Sequence, residues 1–417
     1  MRIELLTIGD ELLLGFTIDT NAAHIARALA SLGVEIVRRG TVGDRAEDIA
    51  SGVREALERS GAVITTGGLG PTSDDRTREA IAALFGRALR KDEAVMADVA
   101  ARFSKLGAKM PAMNVNQAMI PEGARVLRNR HGTAPGIWLE DARGRWCVML
   151  PGVPREMRGL LKDELLPILA ERAGKEPNVI LSRALRTTGI GESALAEQLG
   201  DLAHGVDGLP LAFLPSWSGV DLRLTSSGRP APDAERALSA AAAKLRRPVE
   251  RYVYGEDEAD LAAVVLELCR GKKLSVATAE SCTGGLVGAR LTAIPGSSEV
   301  YLGGIISYAN AMKETELNVP AALLHEHGAV SEPVARAMAD GICARVGADV
   351  GIAITGIAGP DGGTAEKPVG TIWMAVHVKG ETRAVTRKFL GDREEIRLRA
   401  SQGALDMVRR ALTGQIT

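Results

Sequence analysis

Two stretches of this chain bring chemically capable residues to the end of an apolar run. The first is Thr278-Ala279-Glu280-Ser281-Cys282-Thr283-Gly284-Gly285. A strand-like run meets a hydroxyl-rich turn that leads into a helix, where amides can stabilise developing negative charge. Ser281 reads either as a nucleophile or as a helix N-cap, a common use of serine. Cys282 is a second thinkable nucleophile. No histidine lies in the neighbouring motifs to activate it, so it reads as a small core residue. Tyr308-Ala309-Asn310-Ala311-Met312-Lys313 places a phenol and an amine about one helical turn apart if the segment coils. A desolvated lysine can deprotonate a serine without any histidine; the plainer reading is a packed tyrosine and a solvated lysine. Residues 355–363 form a glycine-rich loop after the apolar run 350–354, able to offer amides to a phosphate or an oxyanion.

The second stretch is Thr65-Thr66-Gly67-Gly68-Leu69-Gly70-Pro71-Thr72-Ser73-Asp74-Asp75. Glycines let a backbone approach a ligand closely, and the amides of a helix start bind anions. Two adjacent aspartates can hold a divalent cation that bridges phosphates. The alternative is a plain glycine turn whose aspartates complement a helix N-terminus starting near Asp74. Gly9-Asp10-Glu11, Gly132-Thr133-Ala134-Pro135-Gly136 and Pro151-Gly152-Val153-Pro154 each border an expected strand and can share that cleft. His325 and His327 lack a third ligand and read as surface residues.

Rigid strand ends must carry these loops. Residues 3–8 read as a buried strand. Asp19-Thr20 caps a helix with Ile25, Ala26 and Leu29 on its apolar face, and Gly33 ends it. A strand at 34–37, a helix at 46–59 and a strand at 62–66 follow. Such alternation predicts a parallel sheet with helices on its faces. A strand at 148–150 and a helix at 160–172 complete a first domain, residues 1–170. Residues 173–178 read as a linker. A small α+β unit, residues 171–254, has the size and pattern of a K-homology domain, with helices near 193–199 and 232–246. Gly189-Ile190-Gly191 lacks the spacing of the nucleotide-clamping GXXG loop, and acidic and basic residues nearly balance there. That unit is expected to connect or dimerise rather than bind RNA. The third domain, residues 255–417, is α/β. It has helices at 258–270 and 284–292, strands at 274–279, 301–308, 350–355, 369–378 and 382–389, a helix capped by Ser331, and a final helix at 393–412.

Composition narrows the function classes. The chain has 417 residues, is 46% apolar and carries 51 basic against 52 acidic residues, so no global positive field attracts nucleic acid or an anionic membrane. Aromatics at 3% leave few stacking platforms for bases. Four scattered cysteines form no CxxC pair, which fits a reducing cytoplasm. No signal-peptide pattern or membrane-length apolar run appears. A multidomain, cytoplasmic, enzymatic chain is the expectation.

The pairing of Gly67-Gly68-Leu69-Gly70-Pro71-Thr72 with residues 278–285 resembles the CinA family (competence/damage-inducible protein A) over essentially the whole chain. Gly189-Ile190-Gly191-Glu192-Ser193, Val330-Ser331-Glu332-Pro333 and Lys367-Pro368-Val369-Gly370-Thr371 support it, whereas Ser73 stands where relatives often carry His or Asp. The resemblance implies a molybdopterin-binding-protein-like N-terminal α/β domain with ADP-ribose pyrophosphatase activity, a K-homology-like middle domain and a C-terminal nicotinamide-nucleotide amidohydrolase domain, in a homodimer. The last would convert nicotinamide mononucleotide (NMN) and water to nicotinate mononucleotide and ammonia, within pyridine nucleotide recycling. It implies Ser281, Tyr308, Lys313, Thr355 and Arg397 as catalytic, with Arg393 or Arg399 as other choices for the arginine. Glu280, Gly284, Gly285, Asn310, Gly356 and Gly359 would bind NMN without a cofactor. Thr355 and nearby amides would hold the oxyanion, and Arg397 with the Gly284-Gly285 helix start would hold the phosphate. At the N-terminal site, Gly67, Gly68, Gly70, Thr72, Gly132, Thr133, Pro151 and Gly152 would bind ligand, and Asp74, Asp75 and Asp10 would hold Mg²⁺. Two other readings stand beside this one: an N-terminal pterin-binding module without hydrolysis, and a competence or DNA-damage regulator acting through protein partners.

Overall fold

The computed structural model describes residues 1–174 and 178–415; residues 175–177 of the expected linker lie outside the described residues. Two compact units result, Met1–Leu181 with Ser226–Arg236, and Ser182–Thr225 with Ala237–Thr417.

In the first unit, strands β1 (Arg2–Ile8), β2 (Glu35–Val42) and β3 (Ala62–Thr66) precede a small antiparallel pair, β4 (Leu89–Lys91) and β5 (Met119–Pro121). Then come β6 (Arg125–Leu127), β7 (Gly136–Glu140) and β8 (Trp146–Leu150), giving a six-stranded sheet in the order β2-β1-β3-β8-β7-β6. The expected parallel pairing holds among β2, β1, β3 and β8. The other two strands run antiparallel, β7 against β8 and β6 against β7. The reason is chain length: the short connections beside β7 permit a hairpin but no parallel crossover. Cores fill both faces. Leu6, Ile8, Ile49, Val53 and Ile81 pack on one, and Ile3, Leu5, Ile25, Leu29 and Leu150 on the other. Asp19 caps its helix by accepting from the Ala22 amide at 2.9 Å. The helix after the glycine loop starts at Thr77, not near Asp74. The chain from 73 to 76 is held in turns by Asp75 before it can coil. The closing helix begins earlier than the periodicity predicts, at Pro154, whose missing N–H costs nothing in a first turn.

The middle segment contributes β9 (Asn178–Thr187), β10 (Leu211–Ser216), β11 (Gly219–Pro230) and β12 (Val253–Glu256), in the order β10-β11-β9-β12. The C-terminal sheet consists of β13 (Val276–Glu280), β14 (Tyr301–Ile306), β15 (Val350–Gly356), β16 (Thr371–Val378) and β17 (Glu381–Lys388), in the order β14-β13-β15-β16-β17. β13 pairs in parallel with both β14 and β15, so the strand order reverses at β13. Strand β13 is buried on both faces. Val276 meets Ile352, Met374 and the apolar stripe Ala400-Ala404-Leu405-Val408 of the final helix, Arg393–Thr413. Ala277 and Ala279 meet Val334, Ala335, Met338 and Ile342 of the helix Glu332–Val346. Ser331 was expected to cap that helix through its hydroxyl. It instead donates to the Gly328 carbonyl at 2.8 Å, and Pro333 has no N–H to offer a cap. No helix among the described residues is long and apolar enough to cross a membrane.

Candidate active site

In an open α/β sheet, ligands sit outside the carboxyl ends of strands where the strand order reverses. Ser281 follows β13 at such a point. Its amide donates to the Ile354 carbonyl of β15 at 2.9 Å, and the Ser307 amide after β14 donates to the Glu280 carbonyl at 2.8 Å. Ser281, Ser307 and Thr355 are thereby brought level on three adjacent strands. After β14 the chain coils into the helix Asn310–Leu317, which carries Lys313 back over the sheet edge.

Lys313 is 1% exposed. Its Nζ lies 3.2 Å from Ser281 Oγ, 2.7 Å from the Ser307 carbonyl oxygen and 3.2 Å from the Tyr308 carbonyl oxygen. Carbonyls only accept, so two Nζ protons are committed to them. The third direction faces Ser281 Oγ, and in the neutral amine it is the lone pair. Burial pulls the Lys313 pKa below its ordinary value, and no carboxylate pairs with it among the described residues. The geometry thus suits a neutral amine that takes the serine proton.

Glu280 is 1% exposed, and its carboxylate accepts from the amides of Gly285, Val287 and Gly288 at 3.1, 3.0 and 2.8 Å. This corrects two expectations. Glu280 anchors the helix start instead of facing a substrate, and the Gly284-Gly285 turn has no amide left for a phosphate, since Gly284 N donates to the Ser281 carbonyl. Of the other amides of the turn, that of Cys282 faces its own thiol and that of Thr283 donates to no protein backbone acceptor among the described residues. Thr355, expected at the oxyanion, donates its hydroxyl to the Ala329 carbonyl at 2.8 Å. With the Thr355 hydroxyl engaged, the donors beside Ser281 that an oxyanion could use are backbone amides. Tyr308 does not orient the serine proton. Its ring is 62% exposed and its hydroxyl accepts from Arg393 at 3.1 Å, so its backbone carbonyl, not its phenol, touches the lysine. Burial pushes the Cys282 thiol up to about 12, leaving it protonated.

The final helix presents two arginines to this mouth. Arg397 donates to the Thr283 carbonyl at 2.8 Å and Arg393 to the Gly359 carbonyl at 2.6 Å. Arg399 faces a different cavity. Asn310 is exposed at the first position of its helix, and Gly356 packs against Ile372. Sequence reasoning missed Ser307 and Thr283, whose buried hydroxyls have no partner; no spacing signal marks them.

The N-terminal loops enclose a cavity of about 460 Å³ at the carboxyl ends of β1, β3 and β8, where Gly67, Gly68, Gly70, Thr133, Pro151 and Gly152 meet. Gly67 adopts φ +115°, and a side chain there would overlap the Ile8 carbonyl, so only glycine lets β1 and β3 present their loops side by side. The amides of Gly68, Leu69, Gly152 and Val153 donate to no protein acceptor among the described residues. Asn21, which sequence reasoning missed, donates to the Gly152 carbonyl at 2.7 Å and to Thr66 at 3.2 Å. Glu156, also missed, faces the cavity while accepting from Asn129 at 2.6 Å.

Of the expected metal ligands, Asp74 and Asp75 line this cavity and Asp10 does not. Asp75 accepts from the amides of Gly70 and Thr72 at 2.8 and 2.9 Å and from the Thr72 hydroxyl, which closes its own loop. The Asp10 amide donates to the Asp44 carboxylate at 3.0 Å, and the Asp10 carboxylate accepts from the Asp44 amide at 3.3 Å. Thr72 is likewise spent on Asp75, and Gly132 on Asn129 at 2.9 Å, so both shape loops instead of meeting ligand. Among the described residues no three His, Cys, Asp or Glu side chains form a metal-binding group.

The folds and sites define a multidomain α/β protein with a molybdopterin-binding-like N-terminal domain. Family models agree in kind: "probable molybdopterin binding domain" matches residues 4–171, "damage-inducible protein CinA KH domain" 182–255 and "CinA C-terminal domain" 258–412. The chain is 62% identical to a CinA-like protein of Gemmatimonas aurantiaca, covering 99% of this chain and 96% of the relative. It is 43% identical to a putative competence-damage inducible protein of Symbiobacterium thermophilum over all of both chains. A solved structure of the protein CinA from Thermoplasma acidophilum is 38% identical over 40% of this chain and 97% of its own, with a TM-score of 0.37. The chain belongs to the CinA family.

Proposed function

We propose that the C-terminal domain is an amidohydrolase acting on NMN. The observation that carries this reading is the buried Lys313 Nζ, 3.2 Å from Ser281 Oγ with its other two directions fixed by carbonyls. Ser281 Oγ attacks the carboxamide carbon as its proton passes to Nζ. The amides of Cys282 and Thr283 meet the oxyanion. Collapse breaks the C–N bond, and the departing nitrogen takes the proton from Nζ and leaves as ammonia. Water then attacks the ester, gives a proton to Nζ, and releases nicotinate mononucleotide as Ser281 regains its hydrogen. Arg393 and Arg397 supply positive charge for the nucleotide phosphate.

For the N-terminal domain we propose binding of a diphosphate-bearing nucleotide, ADP-ribose, with hydrolysis to AMP and ribose 5-phosphate as its activity. The four unpaired amides of Gly68, Leu69, Gly152 and Val153 favour an anion there. A pterin-binding role without hydrolysis uses the same amides. The test incubates purified protein separately with NMN and with ADP-ribose, following ammonia and AMP with and without a chelator. Ammonia from NMN in both conditions supports the first reading, and its absence refutes it. AMP from ADP-ribose separates the enzyme from the binding module.

A further inference from the structure

A second cavity lies within the C-terminal unit, away from Ser281. It measures about 490 Å³, the size of a small-molecule site. Its floor is the face of the β16–β17 hairpin on which the cross-strand pairs Met374–Val385 and Val376–Arg383 alternate, as the two-residue period of a strand requires. Its wall is one stripe of the final helix, with Arg399, Gln402, Met407 and Arg410. The loop Gly189-Ile190-Gly191, which no other site uses, closes one end. Gly189 holds φ +77°, and an added Cβ would stand 2.8 Å from the Arg410 guanidinium, so glycine lets this loop lie on that side chain.

The polar groups here are unbalanced donors. Gln402 is 3% exposed. Its Oε1 accepts from Arg290 at 2.8 Å, while its Nε2 has no partner. Arg399 Nε is also buried and unpaired. The two acids of the lining are already matched: Glu381 lies 3.6 Å from Arg383, and Asp406 pairs with Arg409 at 2.8 Å and Arg410 at 2.7 Å. Arg387 and Arg399 have no ion pair among the described residues. Two uncompensated guanidinium groups and a buried unpaired amide N–H therefore border a cavity walled by valine, methionine and Phe389. Leaving a buried donor unpaired is costly, and an acceptor-rich anion removes that cost.

We propose that this cavity binds an organic phosphate of mononucleotide size, its flat body against the valine and methionine floor and its phosphate on Arg387, Arg399 and Gln402. The test uses the full chain, with Trp217 of the cavity rim as reporter and AMP as probe. The expected result is a saturable fluorescence change that disappears in Trp217→Phe. Its apparent Kd should rise about tenfold or more in Arg387→Ala, whose exposed side chain can be removed without disturbing the core. Adenosine and inorganic phosphate alone should each bind far more weakly. The proposal is overturned if no Trp217-dependent change occurs, if Arg387→Ala leaves the Kd unaltered, or if phosphate or adenosine alone matches AMP. Ser281→Ala should leave the change intact; its loss would mean that the probe reports the site at Ser281 and would also overturn the proposal.

Discussion

The two clefts of this chain solve the same architectural problem with opposite materials. Each sits at the carboxyl ends of parallel strands where the strand order reverses, at β1 and β3 in one sheet and at β13 in the other. In the N-terminal cleft the groups offered to a ligand are backbone amides, and its carboxylates are largely committed to protein partners, as Asp75 is to Gly70 and Thr72. In the C-terminal cleft a carboxylate is also committed to the backbone, Glu280 to three amides. There, however, the turn it fixes carries a serine, and a second element delivers a buried amine to it. A fixed turn alone makes a binding surface, whereas a fixed turn with a desolvated base opposite its hydroxyl makes a reactive one. In the proposed function, that contrast is why bond-breaking is placed at the C-terminal cleft first.

The contrast breaks most visibly at the lysine. Lys313→Met should lower NMN deamidation by about a thousandfold or more, within the range seen when a member of a nucleophile–base unit is removed. Lys313→Arg should not rescue it, because a guanidinium stays protonated. ADP-ribose binding at the N-terminal cleft should be untouched by either, as calorimetry on the same preparations would reveal. A deamidation rate preserved in Lys313→Met would remove the difference between the clefts.

A second expectation concerns pH. Burial lowers the Lys313 pKa, and in the proposed mechanism the neutral amine is the active form. The rate should therefore rise about tenfold per pH unit below that pKa and level off above it, at a pH lower than the roughly 10.4 of a free lysine. A kcat/KM profile of NMN deamidation that falls as the pH rises from 6 to 9 argues against lysine as the base.

Smaller effects sharpen the N-terminal side. Asp75→Asn replaces one acceptor oxygen by an NH₂ that confronts the loop donors of Gly70 or Thr72. It should weaken ADP-ribose binding several-fold and cost about 1–3 kcal/mol of stability in a thermal melt, with NMN deamidation unchanged. A loss of deamidation in that variant would mean that the two clefts are not independent. Smallest of all, Cys282→Ala should change the deamidation rate less than about twofold, because its buried thiol stays protonated.

Much of the framework was legible in the sequence because strands such as 3–8 and 62–66 are continuous apolar runs and Asp19 is a strong cap. Ser281 and Lys313 were legible too, since each follows a strand end and the family resemblance marks both. The direction of individual hydrogen bonds was not. Nothing in the residue order says that Asp75 turns back to Gly70, that Glu280 faces the helix amides, or that Tyr308 contributes its carbonyl while its phenol reaches Arg393. Those outcomes depend on which backbone groups are left unpaired after folding. The antiparallel edge of the first sheet was missed because short strands at 125–127 and 136–140 carry no signal of direction beyond the length of their connections.

The central claim is that Ser281 is the group that attacks the carboxamide. Its most direct test measures ammonia released from NMN by Ser281→Ala beside the unsubstituted protein, with folding checked by thermal melting. The account predicts steady ammonia release from the unsubstituted protein and a loss of several orders of magnitude in Ser281→Ala at an unchanged melting temperature. Retention of more than about a tenth of the original rate would contradict it, since losing a covalent nucleophile usually costs several orders of magnitude.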